Sequence, residues 1–383
     1  MLRAHLFPHK SLRCVIVVCL VAAFVAQAQA QSGRARPKPR QQEQKDPDSL
    51  RLIAEEVLLP VSVRTDRGKL PNRLERADFI VTENDKRQQI TSVMRTPANI
   101  LLILDNSGEV VTAKDININR LVAMRVIESL GDDDRAAVMT YGDKVELICP
   151  WTGDKETLKQ ALNWKFRPRI KPHLYDAIQY AAEKVLPEVT GRRSVVLMTD
   201  GVDSFVQGGF ESALESLHKI RATLYVINHA AMLIRDLKPR VFNPLAFWEM
   251  LDPAVRKKYL HLRQYVRELE AGETNLRGLS EETGGAVWNP EQRIECARTE
   301  RQQGESFGKP RELDVRVDCE TIRNQLIHEI GTEYVVSYSS ERRSDDSKFH
   351  SIRVYSTRPD LKIRVRRGIY PGGPRPEARQ PGQ

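Results

Sequence analysis

The pattern of apolar and polar positions divides the chain into two kinds of segment. Short strand-like runs open and close the folded part, whereas the middle alternates continuous apolar strands with amphipathic helices. The middle strands are predicted at 100–104, 136–141, 145–149, 194–199, 223–228 and 286–288, and the helices at 116–130, 157–164, 174–185, 211–220 and 276–283. Such alternation is typical of a parallel sheet covered by helices on both faces. The pattern therefore predicts an α/β domain with a doubly wound, mostly parallel sheet.

Strand-like runs also stand on either side of this α/β domain. They are predicted at 56–64, 77–83 and 88–94 before it, and at 333–339, 349–356 and 361–367 after it and after a helix at 320–330. Neither group is large enough to bury its apolar face alone. We therefore expect residues 51–96 and 318–370 to associate into a small β domain built from N- and C-terminal strands, with the α/β domain occupying residues 97–290.

A helical insertion, residues 230–274, interrupts the alternation. Its best-formed part is Pro253–Glu270, where Asp252 can cap the first turn. One apolar stripe of this helix contains Val255, Tyr259, Leu262, Val266 and Leu269. Since the insertion follows the strand that ends at Asn228, it emerges at the carboxyl edge of the sheet. Two interpretations stay open: the insertion is a peripheral decoration, or it covers this edge and directs basic side chains at carboxylates there, namely Arg235, Lys238 and Arg240.

The first thirty residues have the three zones of a secretory signal peptide. A basic start precedes an apolar run from Cys14 to Ala26, and small residues follow. Cleavage is expected after Ala28 or Ala30, because the run is shorter than the roughly 20 residues that span a bilayer; an uncleaved anchor is the alternative. The mature chain is therefore expected to be secreted or periplasmic, with no stable transmembrane anchor. A solvated tether, residues 31–50, and a tail, residues 371–383, are predicted to be disordered.

The net charge of +9 is concentrated at the start of the chain. Eight basic residues and one acidic residue precede position 46, so the rest of the chain is close to neutral. A nucleic-acid partner needs basic residues gathered on a folded face, and this distribution argues against one.

Three cysteines remain after the predicted cleavage, in a compartment that favours disulfides. Cys296 and Cys319 bracket one polar stretch, and we expect them to form a disulfide that clips an irregular loop, residues 291–317. Cys149 then remains as a buried thiol at the end of an apolar run.

Acidic residues follow two of the predicted central strands. Asp105 and Ser107 come directly after the strand 100–104, and Asp200 comes directly after the strand 194–199. In open α/β sheets, ligands bind at the carboxyl ends of the strands. Oxygen-rich clusters of this kind suit hard cations such as Mg²⁺. The sequence therefore places a candidate site where these two strands end.

The same residues carry a family resemblance. The run Leu101–Gly108, of sequence LLILDNSG, and the later run Val195–Asp203, of sequence VVLMTDGVD, resemble a von Willebrand factor type A domain, most closely that of the bacterial secreted group. The similarity extends from Val57 to Tyr370. The resemblance implies a metal-ion-dependent adhesion site, in which D-x-S-x-S, a threonine and a later aspartate hold a divalent cation. In that family the cation captures an acidic residue of a protein ligand.

The chain departs from the family's metal-site pattern at two positions. Glu109 replaces the second serine of the first motif, and Pro172 stands where the threonine is expected. In one interpretation Asp105, Ser107, Glu109 and Asp200 still hold one cation, Mg²⁺ or Ca²⁺. In the other, which we favour, the cation is absent or is not used for ligand binding, and the carboxylates are hydrogen-bonded or paired with basic side chains.

Catalytic motifs are poorly represented in the sequence. His328 and Glu329 begin like a zinc-protease helix, but Thr332 occupies the place of the second histidine. We therefore expect no enzyme, and instead a protein-binding, adhesion-like module that uses the carboxyl edge of the α/β domain. The alternative is a structural or assembly component of an envelope complex, with an inert, metal-free site.

Overall fold

A computed structural model describes most of the chain beyond residue 51. The described residues are 52–67, 71, 73–107, 116–204, 209–241, 252–288, 293–295, 316–318, 326–330, 333–343 and 346–371. They belong to one compact unit that begins at Arg51. The predicted signal peptide and tether, the predicted disulfide and Glu109 lie outside the described residues. Within the described ranges, no helix combines the length and the apolar character that crossing a membrane would require.

The secondary-structure elements follow the predicted order, except that two paired strands lie at the ends of the stretch 291–317 that is predicted to be irregular. The strands are β1 (Leu52–Thr65), β2 (Phe79–Glu83), β3 (Lys86–Gln88), β4 (Ile90–Met94), β5 (Ala98–Asp105), β6 (Arg135–Tyr141), β7 (Val145–Thr152), β8 (Arg192–Thr199), β9 (Thr223–Asn228), β10 (Val287–Trp288), β11 (Arg293–Glu295), β12 (Arg316–Asp318), β13 (Glu333–Arg343), β14 (His350–Ser356), β15 (Leu361–Val365) and β16 (Gly368–Ile369). The helices are α1 (Ile116–Glu128), α2 (Lys155–Trp164), α3 (Leu174–Tyr180), α4 (Phe210–Ile220), α5 (Ala230–Val241) and α6 (Pro253–Glu282). Residues 326–330 are also helical.

A central sheet of six strands has the order β10-β9-β8-β5-β6-β7. All neighbouring pairs are parallel except β6 and β7, which are antiparallel. Strands β8 and β9 are buried along their whole length, because helices cover both faces of the sheet. The predicted doubly wound, mostly parallel sheet is confirmed.

Each face of the central sheet has its own apolar core. On one face, α1, α2 and the helical residues 326–330 pack against β5, β6 and β8. On the other face, α3, α4 and the last turns of α6 pack against the same strands. Helix α2 begins at Lys155, two residues before the predicted start at 157, because the carboxylate of Asp154 caps it by accepting hydrogen bonds from the backbone N–H groups of Glu156 and Thr157.

The N- and C-terminal strands form additional antiparallel sheets, as the fold-class prediction requires. One sheet has the order β15-β1-β13-β4 and another the order β16-β14-β2-β3. In the first sheet β1 pairs with β13 over eleven residue pairs, from Leu52 opposite Arg343 to Ser62 opposite Glu333. The two sheets share one apolar core, to which strands from both ends of the chain contribute. Neither group of strands therefore has to bury its apolar face alone.

The second half of the insertion differs from the sequence expectation. The pattern predicts one helix to Glu270 and another from Leu276, whereas α6 runs without interruption over 30 residues. Gly272 and Thr274 lie at the position where the pattern suggested a break. A Cβ atom on Gly272 would lie only 2.3 Å from the carbonyl oxygen of Gly201. The glycine therefore allows a close approach of two backbone segments and does not end the helix.

Candidate functional site

Two aspartates lie at the carboxyl edge of the central sheet. Strands β5 and β8 are adjacent and parallel, with Leu104 opposite Met198, so the chain leaves both strands at the same edge. Asp105 is the last residue of β5, and Asp200 directly follows β8. Their exposed fractions are 0% and 2%. The fold thus brings together two of the predicted site residues and buries both carboxylates.

The carboxylate of Asp105 is bonded to the third predicted site residue, Ser107. Its Oδ1 accepts hydrogen bonds from the backbone N of Ser107, at 2.8 Å, and from the Ser107 Oγ, at 2.6 Å. The backbone carbonyl of Asp105 accepts a hydrogen bond from Asn119 Nδ2, at 2.8 Å. Asn119 Oδ1 in turn lies 2.7 Å from Nε2 of His229, which precedes α5. These bonds tie the end of β5 to α1 and to the start of the insertion.

The carboxylate of Asp200 accepts hydrogen bonds from its own loop and from the helical insertion. Its Oδ1 accepts a hydrogen bond from the backbone N of Val202, and its Oδ2 accepts one from the phenol of Tyr265 on α6, both at 3.1 Å. Burial, and then the charge of Asp200, raise the pKa of Tyr265 well above its usual value. The phenol therefore stays protonated and donates its hydrogen to the carboxylate.

The pKa of a second buried phenol, Tyr141, is affected by the acidic side chains of the site. Its hydroxyl donates a hydrogen bond to Oγ1 of Thr199, at 2.6 Å. Burial raises the pKa of Tyr141 well above its usual value, and the negative charges of Asp105, Asp200 and Asp203 raise it further. Three acidic side chains thus act on one phenol. Close like charges need compensation, and Asp203 obtains some by accepting a hydrogen bond from the first residue of α3, where the helix dipole is positive.

The insertion packs directly on the loop that carries Asp200. Val202 belongs to one apolar cluster with side chains of α5 and α6, among them Leu233, Val266 and Leu269. The close approach of Gly272 to Gly201 continues the same contact along α6. The insertion therefore covers this part of the edge, and it does so with an apolar face that includes one phenol.

Two of the basic side chains that one of the two interpretations directs at the site carboxylates have acidic partners on the insertion. Arg235 pairs with Asp236 at 3.0 Å, and Lys238 pairs with Glu270 at 2.8 Å. Both pairs are about half exposed, and the side chain of Arg240 is outside the described residues. One contact from the insertion to Asp200 is made by the Tyr265 hydroxyl, a residue outside the predicted site.

The described residues fit a family-type metal site poorly. Pro172 is buried where the family has a threonine, and its carbonyl oxygen accepts a hydrogen bond from the backbone N of Ser204. Asp200 Oδ2 already accepts the Tyr265 hydroxyl. Across the described ranges, no three histidine, cysteine, aspartate or glutamate side chains converge in a way that could hold a metal ion. The chain's own donors therefore already bond to Asp105 Oδ1 and to both carboxylate oxygens of Asp200.

The rim of the site includes the loop between α2 and α3. The side-chain Nδ2 of Asn106 donates a hydrogen bond to the backbone carbonyl of Arg167, at 2.7 Å. The backbone carbonyl of Asn106 accepts a hydrogen bond from the backbone N of Arg169, at 2.8 Å. At the far end of the loop, the backbone N of His173 donates to the carbonyl of Gly142. These bonds attach the loop to the residue that directly follows Asp105.

Tyr265 could have been recognised from helical spacing. It lies three residues after Leu262 and four before Leu269, so it shares their face of α6. An aromatic residue with a hydroxyl in such a stripe needs a hydrogen-bond partner when it is buried. The partner, Asp200, is 65 residues away in the sequence, and only the tertiary fold identifies it.

Comparison with known proteins gives one family match and several structural similarities. The family model for the von Willebrand factor type A domain matches residues 99–238. No curated protein sequence matches the chain. Similar solved structures include an aerotolerance-related membrane protein from Bacteroides fragilis, with 18% identity, 34% of this chain and 67% of that chain covered, and a TM-score of 0.30.

Two further structures are similar over comparable lengths. One is proximal thread matrix protein 1 from the mussel byssus with a zinc-occupied MIDAS motif, at 19% identity, covering 34% of this chain and 35% of that chain, with a TM-score of 0.31. The other contains three N-terminal domains of the type V pili tip protein Mfa5 from Porphyromonas gingivalis, at 15% identity, covering 40% of this chain and 27% of that chain, with a TM-score of 0.25. Similarities this low carry no functional inference. The family match and the sheet topology agree, and residues 99–238 are a von Willebrand factor type A domain.

Proposed function

We propose that the chain is a secreted or periplasmic module that binds a protein partner at the carboxyl edge of its von Willebrand factor type A domain, without using a cation. Domains of this family are generally interaction modules and not enzymes. The observation that carries the metal-independent part is the hydrogen bond from Tyr265 to Asp200. Because both carboxylate oxygens of Asp200 are buried and already accept hydrogen bonds from the chain, this observation favours a site that works without a cation.

Export is part of this proposal. Residues 1–30 would be removed after Ala28 or Ala30, and Cys296 would pair with Cys319 in the oxidising compartment. Mass spectrometry of the purified protein tests both steps, because the N-terminal peptide fixes the cleavage site. Alkylation before and after reduction then counts the paired thiols. A reduced Cys296 in protein from the native compartment would contradict the disulfide.

Calorimetric titration with Mg²⁺, Mn²⁺ and Ca²⁺ tests the independence from metal. We expect no saturable heat and no rise of the thermal midpoint at millimolar cation concentrations, because ligand binding to the folded state alone would raise it. Micromolar binding that Asp105→Ala removes would show a working cation site and would overturn this part of the proposal.

A second candidate function is an assembly role for the β domain. It is favoured by partly exposed large apolar side chains on its strands, Met94 on β4 and Tyr355 on β14. Such residues could dock the β domain into an envelope complex while the edge of the α/β domain stays inert.

Site-directed photo-crosslinking separates the two functions. The full chain is produced in its own cells with p-benzoylphenylalanine at Trp164, on the rim, or at Tyr355, on the β domain, and is irradiated with and without EDTA. Edge recognition predicts a specific crosslink from position 164, unchanged by EDTA, and none from position 355. A crosslink from position 355 alone would support the assembly role. Crosslinks from neither position would contradict both functions.

A further inference from the structure

The loop from Trp164 to Lys171 exposes apolar side chains at the rim of the proposed binding edge. Trp164, at the end of α2, is 71% exposed, and Ile170 is 57% exposed. These are the two highest values among the large apolar side chains of the described residues. Single exposed apolar residues are ordinary, but two on one short loop beside a candidate site indicate a contact surface.

The same loop has a run of basic residues. Between Trp164 and Pro172, its basic residues alternate with other residue types and no acidic residue occurs: Lys165, Arg167, Arg169 and Lys171. Nearby, the guanidinium of Arg120 on α1 donates a hydrogen bond to Asn163 Oδ1, which brings another cation to this part of the surface.

Two of the loop's cations bond to β7, and the other two are exposed. Arg169 pairs with Glu146 on β7 at 3.0 Å, and Lys165 Nζ donates a hydrogen bond to the carbonyl of Ile148 at 2.9 Å. Arg167 and Lys171 are exposed, and one guanidinium nitrogen of Arg167 donates a hydrogen bond to the carbonyl of the preceding residue, Phe166, at 3.3 Å. The bonds of Arg169 and Lys165 to β7 anchor the loop, and the exposed side chains of Arg167 and Lys171 are placed to meet carboxylates of another molecule.

The loop is held in a defined conformation. Besides its backbone bonds to Asn106, it packs so closely on Gly142 that a Cβ atom there would lie 2.3 Å from Arg169 Cβ. Lys171 has a φ of 48°, a left-handed conformation that non-glycine residues seldom adopt unless their surroundings impose it. Because the loop is already ordered, binding a partner would cost little conformational entropy of the loop.

We propose that this loop recognises an acidic segment of a protein partner that also bears apolar side chains. Arg167 and Lys171 bind its carboxylates, and Trp164 and Ile170 cover its apolar groups. The inference rests on the proposed function, since the loop lies at the same edge, and it names the chemistry of the partner. The basic side chains thereby take over the capture of an acidic residue that a cation would otherwise perform.

Other polyanions fit this surface less well. A nucleic acid needs a basic footprint that extends along its backbone, and the chain after residue 45 is near neutral. Stable attachment to a lipid surface needs more buried apolar area than two side chains on a fixed loop provide. A protein segment matches a surface on which a few cations and two apolar groups lie close together.

Selection from a random dodecapeptide phage library on the immobilised full chain tests the proposal. The recovered peptides are synthesised with a fluorescein label, and their binding is measured by fluorescence anisotropy. We expect sequences enriched in Asp and Glu next to aromatic or aliphatic residues, with affinities that fall as salt concentration rises.

Matched variants then identify the surface. The double variant R167E/K171E should weaken the selected peptides about tenfold or more, because two attractions become repulsions. The same charge change on β3, K86E/R87E, should leave binding within about twofold, since both residues are exposed on the β domain. Trp164→Ala should also weaken binding, whereas Tyr355→Ala should not. Circular dichroism spectra and thermal midpoints confirm that each variant is folded.

Three outcomes would overturn the inference. These are recovery of no peptides or of peptides without acidic residues, equal loss in both double variants, and equally tight, loop-dependent binding of phosphatidylglycerol vesicles or of a single-stranded oligonucleotide. Crosslinking from position 164 to a protein partner combined with any of these would leave the proposed function standing and remove only the acidic-segment chemistry.

Discussion

Replacing Tyr265 by phenylalanine removes one hydroxyl from the edge of the sheet and changes little else. The ring stays buried in the cluster with Val266 and Leu269, while Asp200 Oδ2 loses the donor at 3.1 Å. A hydrogen bond to a charged acceptor contributes about 1.5–3 kcal/mol. Because 3.1 Å is long for an O–H···O bond, we expect the lower part of that range, about 1.5–2 kcal/mol. For a folded unit of this size, the thermal midpoint should fall by about 2–3 °C.

Urea denaturation at pH 7, followed by circular dichroism, measures the loss in free energy of unfolding. Tyr180→Phe is the control, because the Tyr180 side chain is partly exposed on α3 and should change stability by less than about 0.5 kcal/mol. Asp200→Asn by itself relieves charge repulsion and so changes stability for another reason. A double-mutant cycle with Tyr265→Phe separates that effect from the interaction energy between Tyr265 and Asp200. Tyr265→Phe with wild-type stability, or additive effects in the cycle, would refute the view that this phenol holds Asp200.

Three further predictions follow from buried contacts. Gly272→Ala should lower the free energy of unfolding by about 2 kcal/mol in urea denaturation, because the added Cβ would collide with the loop after β8. Gly278→Ala in the same helix is the control and should be nearly neutral, since its Cβ would meet only the ring edge of Phe210 at 3.3 Å. Equal effects of the two substitutions would contradict the close approach of Gly272 to Gly201. Glu333→Ala should cost about 3–5 kcal/mol by the same assay, since it leaves the buried guanidinium of Arg192 without its carboxylate, and a loss below about 1 kcal/mol would show that the pair is unimportant. Burial lowers the pKa of His218 from 6.5 to about 4, so as the pH falls the unfolded chain takes up a proton on this histidine before the folded chain does. The free energy of unfolding should therefore fall by up to about 3 kcal/mol between pH 6.5 and 4. In His218→Gln this part of the pH dependence should be absent.

The central sheet could be predicted because its signals are local. Apolar runs such as the one ending at Leu104 are too continuous for a strand with one solvent-exposed face, and the helices between them repeat at helical spacing. The rule that parallel strands end at one edge then places Asp105 and Asp200 together. The association of the N-terminal with the C-terminal strands could also be anticipated, since neither group buries its apolar face alone, whereas the individual pairing of β1 with β13 could not.

The cover over the site could not be predicted from the same signals. One of the two interpretations of the sequence directs basic residues of α5 at the carboxylates, because opposite charges attract, whereas Arg235 and Lys238 pair with acidic side chains of the insertion itself. Partners close in sequence or on the adjoining helix satisfy such exposed cations without the cost of burying them. A phenol is less costly to bury, and Tyr265 reaches Asp200 from within an apolar stripe.

The position of α6 along the loop after β8 explains why the insertion cannot easily leave Asp200. It also explains why we expect a partner to bind at the loop 164–171 and not at the aspartates. Tyr265 contacts Asp200, and Gly272, two turns later, contacts Gly201, so two turns of one helix follow two consecutive residues of the loop. Freeing Asp200 for a partner would require moving a helix that packs in two apolar cores. Such a movement would expose far more apolar surface than one carboxylate contact could offset. A partner that approaches this edge therefore meets the fixed, basic loop at 164–171 before it could reach the buried aspartates.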